Sequence, residues 1–236
     1  MSETSFQYCG SELEIFAHAQ RWKAYWKSQI LAYIGQNVLE MGAGIGSVTR
    51  LLCEPDMKWL AMEPDFSMCQ KLRHRAERGE IQRNCLIRAG TIDDLQCSES
   101  FDSILYIDVL EHIKGDRIEL EKAVQHLQAN GHLIVLAPAH QSLFTPFDSA
   151  IGHFRRYALA DLLALSPPGS KVILSRYLDC AGLLASVGNR FLLHSSAPTL
   201  KQITFWDSWL VPISVKVDSV LNYRLGKSVL VFWQKM

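Results

Sequence analysis

The sequence predicts an α/β fold, in which a mostly parallel sheet carries helices on both faces. Between residues 38 and 137, five short apolar segments alternate with helical patterns, which is typical of parallel strands joined by crossover helices. The 236 residues are enough for one large domain. Apolar residues make up 48% of the chain and charged residues 20%, which excludes a disordered or low-complexity protein.

An amphipathic helix is predicted near the N-terminus. Ser11 and Glu14 form a capping-box signature, after which apolar residues recur at helical spacing. These are Ile15, Ala19, Trp22, Trp26, Ile30 and Tyr33. We expect the aromatic side chains of Trp22, Tyr25 and Trp26 to pack in the core, with a role as a ligand cover as the alternative.

Seven strands are predicted from short apolar runs that end at turn residues. They are 38–41, 58–63, 85–89, 104–108, 133–137, 172–177 and 228–233. Helices between the first five are predicted at 48–52, at 66–78, and from Asp116 to a stop at Asn130 and Gly131.

A long segment with helical periodicity separates the last two strands. We interpret it as a helical insertion that packs beside the sheet and is broken at Pro212, since proline removes a backbone hydrogen bond. The chain is then a single domain over 1–236, divided into four parts. These are an N-terminal helical segment (1–36), a core (37–180), the insertion (181–226) and the last strand (227–236).

Charge and cysteine content restrict the partners and the compartment. Lys and Arg together number 24, as do Asp and Glu, so no net charge favours nucleic acid or an anionic membrane. The six cysteines form no CxxC pair, which favours free thiols in a reducing compartment. Uncharged stretches run for ten residues, about half of the ~20 that span a bilayer. We therefore expect a cytoplasmic protein without a transmembrane segment.

Three glycines follow the first strand and predict a cofactor site. Gly42, Gly44 and Gly46 allow the backbone to approach a ligand closely at a helix N-terminus, as either a dinucleotide or another adenosine cofactor requires. Ser47 stands where the dinucleotide fingerprint has its third glycine. Glu63 ends the second strand, where its carboxylate can accept hydrogen bonds from both ribose hydroxyls.

With these motifs the sequence resembles the class I S-adenosylmethionine-dependent methyltransferases. The blocks that carry the resemblance are VLEMGAGIGSVTRLL (38–52), WLAMEPD (59–65), RAGTIDDL (88–95), FDSILYIDVLEHI (101–113) and NGHLIVLAPAH (130–140). The resemblance implies a Rossmann-like, seven-stranded sheet whose last strand is antiparallel. It also implies that S-adenosyl-L-methionine binds over the carboxyl ends of the first strands.

The resemblance further implies which residues contact this cofactor. They are Glu40, Gly42, Ala43 and Gly44 for the methionine portion, Glu63 for the ribose, Pro64, Thr91 and Ile92 for the adenine, and Asp108, Val109 and Leu110 beside the sulfonium and amino groups. Thr91 stands where the family usually has an aspartate, so backbone N–H groups at Thr91 and Ile92 are expected to serve the adenine instead.

Methyl transfer from a sulfonium is an in-line displacement, which mainly requires alignment and exclusion of water. A hydroxyl acceptor also needs a base, and the candidates are His112, His140 and His153. Each could equally be a structural histidine. No metal site is predicted, because Glu111 and His112 are more simply interpreted as lining of the cofactor pocket.

Residues after the fifth strand form a long loop that predicts an acceptor site. Arg155 and Arg156, followed by Tyr157, could hold an anionic group, since arginine binds carboxylate and phosphate in a bidentate manner. The alternative is an internal ion pair with Asp148. The stretch HFRRY is similar to that of bacterial methyltransferases associated with glycan or lipid-linked metabolites.

The sequence therefore predicts an S-adenosylmethionine-dependent, metal-free methyltransferase. The acceptor is expected to be a small molecule, or to be glycan- or lipid-linked, and to be methylated on oxygen. A nucleic-acid substrate is disfavoured, and the oligomeric state stays open. The alternatives are a non-catalytic subunit that binds the cofactor and, against the evidence of Ser47, a nicotinamide-dependent oxidoreductase.

Overall fold

A computed structural model describes residues 12–188 and 199–236. Seven strands form one sheet in the order β3-β2-β1-β4-β5-β7-β6. They are β1 (Asn37–Met41), β2 (Lys58–Glu63), β3 (Cys85–Ala89), β4 (Phe101–Ile107), β5 (Leu127–Pro138), β6 (Ser170–Leu178) and β7 (Ser228–Lys235). Strands β1 to β5 pair in parallel, whereas β7 lies antiparallel between β5 and β6. The predicted Rossmann-like, mostly parallel sheet is confirmed.

Helices cover both faces of this sheet. They are α1 (Glu12–Phe16), α2 (Gln20–Ile30), α3 (Ser47–Leu52), α4 (Phe66–Glu77), α5 (Asp116–Gln125), α6 (Pro146–Ala150), α7 (Leu159–Ala164), α8 (Cys180–Gly188), α9 (Leu200–Phe205) and α10 (Val211–Val220). Residues of α2, α3, α4, α9 and α10 join the core on one face, and residues of α5 and α7 join the core on the other. Alternate strand residues supply the two cores because successive side chains point to opposite faces.

The predicted N-terminal helix is divided into α1 and α2, and Ser11 lies outside the described residues. Trp22, Tyr25 and Trp26 are all buried in the core, as predicted. Asp207 in the insertion accepts hydrogen bonds from the backbone N–H of both Arg21 and Trp22, at 3.1 and 2.8 Å. The first turn of α2 is therefore capped by a side chain far away in the sequence.

The Asn130–Gly131 pair does not end a helix, contrary to the prediction. Helix α5 ends at Gln125 and β5 begins at Leu127, so the pair lies inside a strand. Asn130 is left-handed, with φ 64°, at an irregularity in the pairing of β4 with β5. A left-handed residue is used by strand bulges as well as by helix ends, and the sequence signal is the same for both.

Pro212 does not break the insertion either. A π-helical turn, Trp206–Leu210, joins α9 to α10, and Pro212 lies in the first turn of α10. Proline leaves the carbonyl four residues earlier without its helical donor. That carbonyl belongs to Ser208, and the Arg21 guanidinium donates to it at 2.8 Å. The long-range contact compensates for the proline.

Candidate cofactor and acceptor site

The glycine turn between β1 and α3 has a backbone that L side chains rarely adopt. Gly42, Gly44 and Gly46 have φ values of 62°, 55° and 81°. A Cβ atom on Gly42 would lie 2.7 Å from Val109, and one on Gly46 would overlap Leu72. Gly44 faces more open space. The turn is therefore fixed by close packing at its two ends and is accessible at its centre.

Glu63 fastens this turn to the end of β2. Its two oxygens accept hydrogen bonds from the backbone N–H of Gly44 at 2.7 Å and of Asp65 at 2.9 Å. Burial raises its pKa, against the lowering effect of these two bonds. A carboxylate offers about four lone-pair sites, so two remain for ribose hydroxyls. The ribose contact of Glu63 stays a prediction.

Glu40 lies beneath the turn, where it is 2% exposed. One of its oxygens accepts hydrogen bonds from the Thr49 hydroxyl at 2.7 Å and from the Trp59 indole N–H at 2.8 Å. Burial raises the pKa of Glu40 to about 7. Glu40 thus ties α3 and β2 to β1, and its direct contact with the methionine portion stays a prediction.

The residues assigned to the adenine are engaged differently from the expectation. The backbone N–H of Thr91 donates to the Asp94 carboxylate at 2.8 Å, so this N–H serves the following short helix, Ile92–Asp94. Ile92 is buried and Pro64 is half-buried. The expectation that Thr91 offers its N–H to the adenine is therefore not supported by the structure.

The end of β4 lies beside the glycine turn, through the contact of Val109 with Gly42. Asp108 has a left-handed backbone, with φ 55°, and Leu110 is fully buried. Asp108 is exposed to solvent, although protein atoms surround its carboxyl group. Burial raises its pKa to about 6, while His153 and Lys227 act in the opposite direction.

A group of polar side chains continues from Asp108 along this edge of the sheet. The His112 and His153 rings lie edge to face, with centroids 4.5 Å apart. His153 Nδ1 lies 3.1 Å from Asp148 Oδ1, and His153 Nε2 lies 3.8 Å from Glu111 Oε1. We call Glu111, His112 and His153 the histidine–glutamate cluster. Sequence analysis missed that His153 joins the other two, which lie about forty positions earlier in the chain.

The cluster is strongly desolvated. Glu111 is 0% exposed, and neither side-chain oxygen has a hydrogen-bond partner among the described residues. Burial, followed by repulsion from Asp108, raises the pKa of Glu111 well above its usual range. Burial, followed by the neighbouring His153, lowers the pKa of His112 to about 4, so His112 is a neutral imidazole at pH 7.

The arginines predicted to bind the acceptor form internal ion pairs. Arg156 makes a bidentate pair with Asp148, at 2.9 and 3.0 Å, which is the alternative that the sequence left open. Arg155 pairs with Asp116. Tyr157 is 3% exposed and donates its hydroxyl proton to Asp116 at 2.9 Å. Arg155 and Tyr157 fasten the loop to α5, whereas Arg156 fastens it to α6 through Asp148. An acceptor role for the three residues stays a prediction.

His140 is held apart from the cluster. Its ring stacks on Tyr177, with centroids 5.1 Å apart, and Nε2 lies 2.9 Å from the Gly226 carbonyl oxygen. Of the three candidate bases, His140 is therefore the one with the clearest structural role.

Lys227 was missed by sequence analysis and lies at the start of β7. Its ammonium group is 3.5 Å from the centre of the Trp206 ring and 3.8 Å from Asp179. Burial lowers its pKa, although Asp179 and Asp108 favour the charged form. Because β7 is antiparallel, its first residues reach the edge where the parallel strands end. This topology, and no local motif, brings the Lys227 cation close enough to Asp108 to lower the pKa of that carboxyl group.

The comparisons with known proteins agree with this fold. Residues 39–133 match a sequence model described as a methyltransferase domain. A ubiquinone biosynthesis O-methyltransferase from Bradyrhizobium diazoefficiens is 27% identical over 105 residues, which are 43% of this chain and 39% of that relative. The match thus spans about two fifths of the curated relative's length.

Two solved methyltransferases have similar structures. One is coclaurine N-methyltransferase bound to N-methylheliamine and SAH, with a TM-score of 0.62 and 14% identity over 92% of this chain and 72% of its own. The other is the N-methyltransferase NodS from Bradyrhizobium japonicum with S-adenosyl-L-homocysteine, with a TM-score of 0.58 and 14% identity over 93% and 87%.

Over residues 39–133 the chain matches a methyltransferase domain, and its fold is that of the similar methyltransferase structures, in agreement with the resemblance to class I S-adenosylmethionine-dependent methyltransferases. Its subfamily is not assigned. Among the described residues, no helix has both the length and the apolar character needed to cross a membrane.

Proposed function

We propose that this protein transfers a methyl group from S-adenosyl-L-methionine to an oxygen atom of a small-molecule or glycan- or lipid-linked acceptor. The observation that carries the proposal is the left-handed glycine turn, which is fastened by Glu63 and lies beside Val109 at the carboxyl edge of the sheet. The family match over 39–133 and the SAH bound in two similar structures support the same cofactor.

In the proposed complex the cofactor lies over the ends of β1, β2 and β4. The glycine turn brings backbone close to the methionine portion, Glu63 accepts from the ribose hydroxyls, and Asp108 faces the charged end of the cofactor. Asp108 can favour a nearby sulfonium or ammonium group electrostatically when it is ionised. The cleft walls keep water from the methyl group, which preserves the alignment needed for displacement.

The transfer is an in-line displacement. The acceptor oxygen supplies the electron pair of the new O–CH₃ bond, while the pair of the breaking C–S bond goes to sulfur and gives S-adenosylhomocysteine. The hydroxyl proton must leave the acceptor. The histidine–glutamate cluster, next to Asp108, is better placed to remove this proton than His140, which stacks on Tyr177.

Oxygen is preferred as the acceptor atom because the relative found by sequence is named an O-methyltransferase. Nitrogen is the second candidate, since the two structural relatives are N-methyltransferases, but likeness at 14% identity concerns the fold alone. Cytoplasmic localisation stays a prediction from the sequence.

Calorimetric titration with SAH, S-adenosylmethionine and NADH tests the cofactor. We expect micromolar binding of the sulfur compounds, about −8 kcal/mol, and none of NADH. Glu63→Gln should weaken SAH binding about 10- to 100-fold, since hydrogen bonds to a charged group contribute about 1.5–3 kcal/mol. Glu77→Gln, at a carboxylate that is 76% exposed, is the control and should bind as the parent does.

Labelled methyl transfer to small-molecule extracts then separates an enzyme from a non-catalytic subunit. A labelled product with a methoxy group supports the proposal. Sulfur-cofactor binding without any labelled product would favour the subunit, and a folded protein that binds neither SAH nor S-adenosylmethionine would refute the proposed function.

A further inference from the structure

The histidine–glutamate cluster has the composition of a metal site. Glu111, His112 and His153 each offer one ligand atom, and these atoms lie within 4.8 Å of one another. Two imidazoles and one carboxylate are a donor set typical of divalent transition-metal ions, whereas Mg²⁺ and Ca²⁺ favour oxygen ligands. The three residues come from two separate segments, so the tertiary structure alone assembles the set.

An unpaired buried carboxylate is the second, independent observation. Both oxygens of Glu111 are buried without a hydrogen-bond partner among the described residues. Burying a carboxylate without a partner costs several kcal/mol, and the cost falls when a cation is bound next to it. Arg156, whose charge favours the ionised form of Glu111, is already paired with Asp148 through two hydrogen bonds. A cation bound beside Glu111 would therefore stabilise its ionised form.

The two histidines are also oriented as metal ligands usually are. His153 has Nδ1 against the Asp148 carboxylate, which directs Nε2 toward Glu111. His112 is hydrogen-bonded to the backbone at Gly152. Metal-binding histidines almost always have their second nitrogen held by a carboxylate or a backbone carbonyl, which fixes the tautomer and the ring orientation.

We propose that Glu111, His112 and His153 bind a divalent transition-metal ion such as Zn²⁺, with Asp148 holding His153 in place. This replaces the expectation of a metal-free site and makes the two histidines ligands, not bases. Three protein ligands leave a position open for another oxygen. If the proposed function holds, that oxygen is the acceptor hydroxyl, which loses its proton to solvent more readily on a metal and keeps the electron pair for the new O–CH₃ bond.

Metal binding can be measured without an activity assay. The protein is stripped with a chelator and titrated with Zn²⁺ by calorimetry, and with Co²⁺ by visible absorption. We expect one ion per chain and a Co²⁺ spectrum of four to five ligands that include nitrogen. Glu111→Gln and His153→Gln should each weaken binding at least tenfold. Asp148→Asn should weaken metal binding about 10- to 100-fold, as substitutions of residues that hydrogen-bond to a metal ligand do.

The control is His74→Gln, at an exposed histidine that lies 3.5 Å from Glu77, and it should bind the metal as the parent does. Glu111→Gln replaces a buried carboxyl group that has no hydrogen-bond partner among the described residues with an amide of similar size, so the variant should fold, which thermal unfolding checks. Absence of Zn²⁺ and Co²⁺ binding, or binding that survives both Glu111→Gln and His153→Gln, overturns the metal site.

Titration with SAH in the same samples keeps the two proposals separate. SAH binding without metal binding rejects the metal site and leaves the methyltransferase function in place. Metal binding without SAH binding supports the metal site and rejects the methyltransferase function.

Discussion

The two sides of the cleft are built in different ways. On the cofactor side, residues 40–65 form a turn in which backbone N–H groups and a nearby carboxylate contact each other, as Gly44 and Glu63 do. On the acceptor side, side chains from separate segments meet, such as Tyr157 with Asp116 and Arg156 with Asp148. A local backbone motif supports the first side, and long-range charge pairs support the second.

The carboxylates that hold the two sides together also differ in their electrostatics. On the cofactor side, burial raises the pKa of both Glu40 and Glu63. On the acceptor side, burial alone would raise the pKa of Asp148, but hydrogen bonds and charge from His153, Arg156 and Thr145 outweigh it and lower the pKa to about 2. Because different contacts hold the two sides together, we expect a mutation on the acceptor side to change SAH affinity little, and a mutation on the cofactor side to change the acceptor-side ion pairs little.

The largest loss of stability is expected for Asp148→Ala. Asp148 is 1% exposed, and its removal leaves the Arg156 guanidinium unpaired in a mostly buried position. Breaking such a pair costs about 3–5 kcal/mol of the free energy of unfolding. Urea unfolding measures the loss, and Asp148→Ala with Arg156→Ala should recover part of it. Loss of SAH affinity by the folded single variant would contradict the independence of the two sides.

For Glu40→Gln we expect a pH-dependent change of about 3 kcal/mol in the free energy of unfolding, relative to the parent. The pKa of Glu40 is raised to about 7 in the folded state, so its contribution to stability is fully present below the ordinary pKa near 4.5 and is lost as pH rises through 7. Glutamine titrates in neither state. The variant should therefore gain stability relative to the parent between pH 5 and pH 8, as measured by urea unfolding. A difference that stays constant over this range would show that Glu40 is ionised in the fold.

The smallest difference in stability is expected between two glycine substitutions, and it distinguishes backbone strain from steric crowding. Gly46→Ala and Gly79→Ala both place alanine at a positive φ, of 81° and 75°, but only the first meets Leu72, whereas Gly79 has nothing within 4 Å. Overpacking a core costs about 1–3 kcal/mol, so Gly46→Ala should be less stable than Gly79→Ala by roughly that amount. Equal losses in thermal unfolding would mean that strain alone fixes the glycines in the turn.

The success of the sequence-based predictions follows the same division between local motifs and long-range contacts. The positions of β1 to β4, the glycine turn and Glu63 are local patterns, and they were predicted from short stretches of sequence. Asn130 and Pro212 carried equally clear local signals but were misinterpreted, because a strand irregularity and a π-helical turn absorb them. In both places the result depended on contacts with distant residues, such as that of Arg21 with Ser208.

The sequence by itself determined the α/β architecture, because apolar periodicity acts through neighbouring residues, and its motifs carry the resemblance to the methyltransferases. Only the tertiary structure decided which polar side chains meet. It joined His153 to Glu111 and Lys227 to Asp179, because the path of the loop before α7 and the antiparallel course of β7 bring together residues that no spacing in the sequence connects. The energy of such a cluster depends on desolvation and on charge at distances of a few ångströms, and these exist only once the chain has folded.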